Sequence, residues 1–119
     1  MIDCFSDTME SAGLISCLPW DVLRLMYGNY IDAMALVRKS AWELAGGYDL
    51  KMDERFGGWE DYDLWLRLAD EGYRGIFVPT PIARYRVHGA SMLQSFNWAP
   101  QNAIAALRAR YPELPWVLA

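Results

Sequence analysis

Apolar and polar positions alternate with two different periods along this chain. Trp59, Tyr62, Trp65, Leu66 and Ala69 fall on one stripe at helical spacing, which predicts a helix from about Trp59 to Glu71 ended by Gly72. Ile82 to His88 alternates with period two: Ala83, Tyr85 and Val87 face one way, and Arg84, Arg86 and His88 the other. Ile76-Phe77-Val78 reads as a short strand closed by Pro79-Thr80-Pro81, and the apolar run Tyr30–Arg38, broken only by Asp32, as a buried strand. Trp20–Tyr27 suits a short helix ended by Gly28-Asn29. Ser40-Ala41-Trp42-Glu43 spells a capping box for a two-turn helix stopped by Gly46-Gly47. Residues 48–58 read as a loop, and residues 1–19 as a loose or partly helical lead-in ending at Pro19. A last helix is expected with Asn97 as its cap, Pro100 in its first turn, Arg108 and Arg110 against its C-terminal dipole, and Pro112 beyond its end. The sum is an α/β chain, α+β-like, of a few short strands with three or four helices and no internal repeat.

Composition narrows the classes. The 119 residues fit one domain, and 54% of them are hydrophobic, with six Trp, seven Tyr and four Phe. So small a domain leaves part of that apolar surface uncovered, which predicts an oligomer or a piece of something larger. A net charge of −4 argues against nucleic acid as a partner, because no basic excess exists to displace counterions. No apolar run approaches the roughly 18 residues of a membrane span, and Met1–Phe5 lacks the basic start of a signal peptide. Cys4 and Cys17 lack metal spacing; they read as free thiols of a reducing compartment, with one disulfide as the alternative. A cytoplasmic protein is the expectation.

The chemistry concentrates at two places. Gly57-Gly58 forms a hinge before Trp59, Glu60 and Asp61, so a carboxylate at the helix start stands where a substrate can reach it. Acids in a first helical turn are also common for the dipole alone. Asp63, four residues before Arg67, reads as half of a surface pair. Asp61-Tyr62-Asp63 is not a metal-chelating pair, because residues two apart on a helix point about 200° from each other. The second place is His88, the only histidine, which shares a strand face with Arg84 and Arg86. That face suits an anion such as a diphosphate, or is a solvated polar edge. Trp42, Trp59 and Trp65 read as core, although Trp59, beside the acids, could also stack on the apolar face of a sugar ring.

These pieces occur in a recognisable order. Ala35-Leu36-Val37-Arg38-Lys39-Ser40-Ala41-Trp42-Glu43 is followed by Gly46-Gly47-Tyr48-Asp49 and then Phe56-Gly57-Gly58-Trp59-Glu60-Asp61-Tyr62-Asp63-Leu64-Trp65. Gly72-Tyr73, Tyr85-Arg86-Val87-His88-Gly89-Ala90-Ser91-Met92 and Arg110-Tyr111-Pro112 follow in turn. The set, over residues 20–112, resembles the C-terminal half of family 2 glycosyltransferases of the GT-A fold. The resemblance implies an inverting transfer of sugar from a nucleotide-diphosphate donor to an acceptor hydroxyl. It implies Asp61 as catalytic base with Glu60 beside it, and His88 as a ligand of a divalent metal, Mn or Mg, in the complete enzyme. Trp59, Arg84 and Arg86 would bind substrate.

Residues 1–29 do not match the family's Rossmann-like nucleotide-binding half with its loop D-x-D. The expectation is therefore an acceptor and base half over residues 20–112, with a tail at 113–119, lacking a donor site of its own and inactive in isolation. The rival is a non-catalytic binding module that keeps half of the fold. Self-association through the exposed edge is expected, and membrane association only through the acceptor's pathway.

Overall fold

The computed structural model describes residues 1–88 and 100–116, among which lie three strands and five helices. The strands are β1 (Ile2–Phe5), β2 (Ser11–Ile15) and β3 (Ala83–Arg86); the helices are α1 (Val22–Leu25), α2 (Lys39–Ala45), α3 (Leu50–Phe56), α4 (Glu60–Asp70) and α5 (Pro100–Arg110). The expected mixed α/β character is present, with one helix more than the pattern predicted.

The sheet has the order β2-β1-β3. β1 and β2 form an antiparallel hairpin pairing Ile2 with Ile15 and Asp3 with Leu14, with an irregularity before Phe5 meets Ser11. β3 joins β1 in parallel, from Ile2 against Ala83 to Phe5 against Arg86. The supposed lead-in is thus the centre of the sheet. Its alternation, with Ile2 and Cys4 buried and Asp3 and Phe5 only partly so, is too short to stand out in sequence.

α4 is the hub of the core. Tyr62, Leu64 and Leu66 are fully buried, and Trp65 and Leu68 nearly so, against Leu25, Met52, Phe56, Ala103 and Leu107. Its end is as expected: Gly72 takes φ 86° and the Tyr73 N–H donates to the Leu68 carbonyl at 2.9 Å. The Tyr62 hydroxyl donates to the Leu25 carbonyl, tying α4 to the end of α1. α5 keeps Arg108 and Arg110 in its last turn, whereas Asn97 and the strand-ending Gly89-Ala90-Ser91 lie outside the described residues.

Several expectations are corrected. Tyr30–Arg38 is not a strand. The Tyr30 hydroxyl donates to the Pro19 carbonyl at 2.9 Å and accepts from the Asp21 N–H, and the Trp65 indole N–H donates to the Ile31 carbonyl at 3.0 Å. Side-chain bonds pin the start of this segment where a ladder would have been. Ile76–Val78 is likewise unpaired, with Ile76 92% exposed. Residues 48–58 hold α3, which Asp49 caps by accepting from the Lys51 N–H at 3.0 Å. α1 is a single turn capped by Asp21, shorter than expected.

No capping box forms on α2. Arg38 occupies the cap position without a side-chain bond, so Ser40 sits inside the helix and Glu43 faces Lys39 at 3.8 Å. The end of α2 is as predicted, with Gly46 left-handed at φ 85°. The expected tail is partly packed: Leu114 is buried, and the Trp116 indole N–H donates to the Tyr111 carbonyl at 2.7 Å. Cys4 and Cys17 are free thiols.

Candidate functional site

The site is built around the start of α4. α3 ends on Gly57 at φ 72°, and Trp59 then adopts φ 79°, ψ 1° as the cap residue of α4, with no side-chain cap bond. A left-handed tryptophan is a strained backbone position, held only because the surrounding packing determines it. It turns the chain so that Glu60 and Asp61 leave the core while Tyr62 to Leu66 enter it.

Asp61 is held from two sides. Its Oδ2 accepts from Asn29 Nδ2 at 3.1 Å, and its Oδ1 from the Tyr62 N–H at 2.8 Å. Burial pushes its carboxyl above the ordinary value, the charge of Asp32 adds to the rise, and the two hydrogen bonds oppose it. The Tyr48 phenol is raised first by burial and then by the charges of Asp61, Glu60 and Asp32, which places it in the same electrostatic neighbourhood. Glu60 Oε2 and Trp59 Nε1 are buried atoms without a hydrogen-bond partner among the described residues. The Trp59 ring lies 6.1 Å from that of Tyr62.

The other predicted site residues lie elsewhere. Arg84, Arg86 and His88 belong to β3 and the residues just beyond it, alongside β1, whereas α4 packs on α2 and α3. The Arg84 guanidinium sits 4.4 Å over the Phe5 ring, and Arg86 pairs with Asp7 at 2.7 Å. Among the described residues no three His, Cys, Asp or Glu side chains gather as a metal site.

Asp63 is the largest correction. It is 0% exposed, not a surface charge. Its Oδ1 accepts from the Tyr111 hydroxyl at 2.6 Å and from Arg110 Nη1 at 3.0 Å, and its Oδ2 from Arg67 Nη2. Arg67 also donates to the Ala45 and Gly47 carbonyls at 2.7 and 2.6 Å, and Arg110 pairs with Asp49 at 2.8 Å. One buried carboxylate therefore joins the ends of α2, α3, α4 and α5. Tyr48, Asp49, Arg67, Arg110 and Tyr111 line an open cavity of about 480 Å³ beside this network.

Asn29, Asp32 and Tyr48 are site residues that pattern reasoning missed. Tyr48 stood within a quoted motif, but nothing local marks Asn29 or Asp32 as neighbours of Asp61, 32 and 29 positions away. No protein-family model, curated protein or solved structure matches the chain.

Proposed function

We propose that this chain carries the acceptor side and general base of an inverting family 2 glycosyltransferase, with Asp61 as the base. The carrying observation is the Asp61 carboxylate itself: fixed by Asn29 and the Tyr62 N–H, raised by burial, and set behind the strained Trp59. A carboxylate whose proton affinity is raised is a stronger base toward an incoming hydroxyl. Each Asp61 oxygen accepts one bond and keeps a lone pair for an incoming hydroxyl.

In this reading the acceptor hydroxyl gives its proton to Asp61 as its oxygen bonds to the anomeric carbon. The nucleoside diphosphate departs from the opposite face with the bonding electrons, and the anomeric configuration inverts. Glu60 Oε2 and Trp59 Nε1 supply a buried acceptor and a buried donor for further hydroxyls of the acceptor, and the indole face offers a surface for a sugar ring. No step is assigned to a metal, to His88 or to Arg84 and Arg86.

Asp61→Asn tests the proposal in the intact enzyme, donor half included, in an assay of transfer from a nucleotide sugar to a hydroxyl acceptor. Turnover should fall by about 10²–10⁴-fold with donor affinity unchanged; full turnover in the variant refutes the assignment. The exposed Leu36, Ile76 and Val78 favour the second reading, a binding module without chemistry. A protein partner retained by Asp61→Asn, with no transfer even when the donor-binding half is supplied, would select that reading.

A further inference from the structure

Asp61 and Trp65 stand four residues apart on one face of α4, and both reach the segment between α1 and α2. The Trp65 indole N–H donates to the Ile31 carbonyl at 3.0 Å, and the Ile31 N–H donates to Asn29 Oδ1 at 3.3 Å. Asn29 Nδ2 then donates to Asp61 Oδ2 at 3.1 Å. The peptide after Ile31 is held at its other end too, because the Asp32 N–H donates to Ser16 Oγ at 3.2 Å. These bonds admit one orientation of the Asn29 amide. Turned over, it would set its carbonyl oxygen against the Asp61 carboxylate and its NH2 against the Ile31 N–H. Asn29 is exposed, so burial does not hold it in place. Trp65 is 4% exposed and anchors the relay in the core.

We infer that Trp65 is a positioning residue for Asp61, acting through Ile31 and Asn29. Its value to turnover rests on the proposal that Asp61 is the base; the relay itself exists without turnover. A carboxylate free to rotate offers its lone pairs in many directions, whereas one clamped at both oxygens offers them in one. The titratable groups around Asp61 are Asp32 on the same segment, Glu60 next to it on α4 and Tyr48 ahead of α3. All three stay in place in the variants below, so changes in the Asp61 proton affinity report the Asn29 bond, which favours the ionised form.

Carbon-13 NMR of the labelled full chain reads the Asp61 carboxyl titration with no need of turnover. Asn29→Ala should raise its proton affinity about tenfold, because a bond to the charged form is lost. Trp65→Phe keeps an aromatic ring but removes the donor, and should raise it about threefold; in the Asn29→Ala background it should add nothing, since the relay is already cut. Leu66→Val, which loosens the same helix away from the relay, should leave the titration unmoved. In the unsubstituted chain the Trp65 indole proton resonance should follow the Asp61 titration, and in Asn29→Ala it should cease to, a readout that leaves the core untouched. An indole resonance indifferent to Asp61 overturns the proposal. So does a Trp65→Phe effect that is absent, or that adds in full to Asn29→Ala. In the intact enzyme, donor half included, the acidic limb of kcat should move to higher pH by the same factors. A limb that stays while the carboxyl titration moves refutes Asp61 as the base, and leaves Trp65 as the residue that positions it.

Discussion

Replacing Asp63 by Ala should destabilise the fold far more than loss of a surface ion pair. The carboxylate accepts from Arg67, Arg110 and Tyr111 and is shielded from water. After the substitution Arg67 keeps the Ala45 and Gly47 carbonyls, and Arg110 keeps Asp49. What remains is a buried Tyr111 hydroxyl with no acceptor, and two guanidiniums each short of one bond. Removing one member of a buried ion pair costs about 3–5 kcal/mol. The Arg67 and Arg110 side chains are 18% and 38% exposed, so water restores part of their hydration and about 3 kcal/mol is expected. A domain of this kind holds only about 5–15 kcal/mol in total. Urea unfolding should show the midpoint falling accordingly at constant slope. Glu43→Ala is the internal control, because its partner Lys39 is solvent-exposed at 3.8 Å and the pair contributes about 0.5 kcal/mol or less. A loss below about 1 kcal/mol for Asp63→Ala would place it with such surface pairs and refute the buried network.

Two further outcomes follow from the same geometry. Asp61 binds its proton more tightly folded than unfolded, so its stabilising contribution is full below the ordinary carboxylate value and is lost as pH rises through the raised folded value. Wild type should therefore lose stability relative to Asp61→Asn as pH rises above the ordinary carboxylate value, and a flat or opposite difference in urea midpoints would contradict the burial argument. Gly46→Ala and Gly47→Ala should each cost about 1–2 kcal/mol for a left-handed backbone. Gly47→Ala should cost more in thermal unfolding, because a Cβ there meets the Trp42 indole at 3.0 Å while one at Gly46 meets open space; equal losses would count against that contact.

Helices with a long apolar stripe were legible because their signal is local. Trp59 to Ala69 repeats at 3.6 residues and stops at Gly72, so periodicity and terminator together defined α4 nearly to its ends. β3 was legible from its alternation and α5 from Pro100 and Pro112. α3 was missed because seven residues rich in charge carry little periodic signal, although Asp49 and Gly57 mark both of its ends. Tyr30–Arg38 and Ile76–Val78 carry strand composition without a neighbouring strand, and pairing is not a property of one segment.

By itself the sequence determined that Glu60 and Asp61 open a helix behind a glycine hinge, and that the helix turns an aromatic stripe inward. Only the tertiary structure decided which acid does what. Positions two apart on α4 face opposite sides, so Asp61 meets Asn29 and the Tyr48 neighbourhood while Asp63 enters the core against Arg67, Arg110 and Tyr111. The sheet carries Arg84 and Arg86 on β3 beside β1, with His88 just beyond. The reason is physical: helical period is written in neighbouring residues, whereas burial of a charge depends on cations that reach it from 47 residues along the chain.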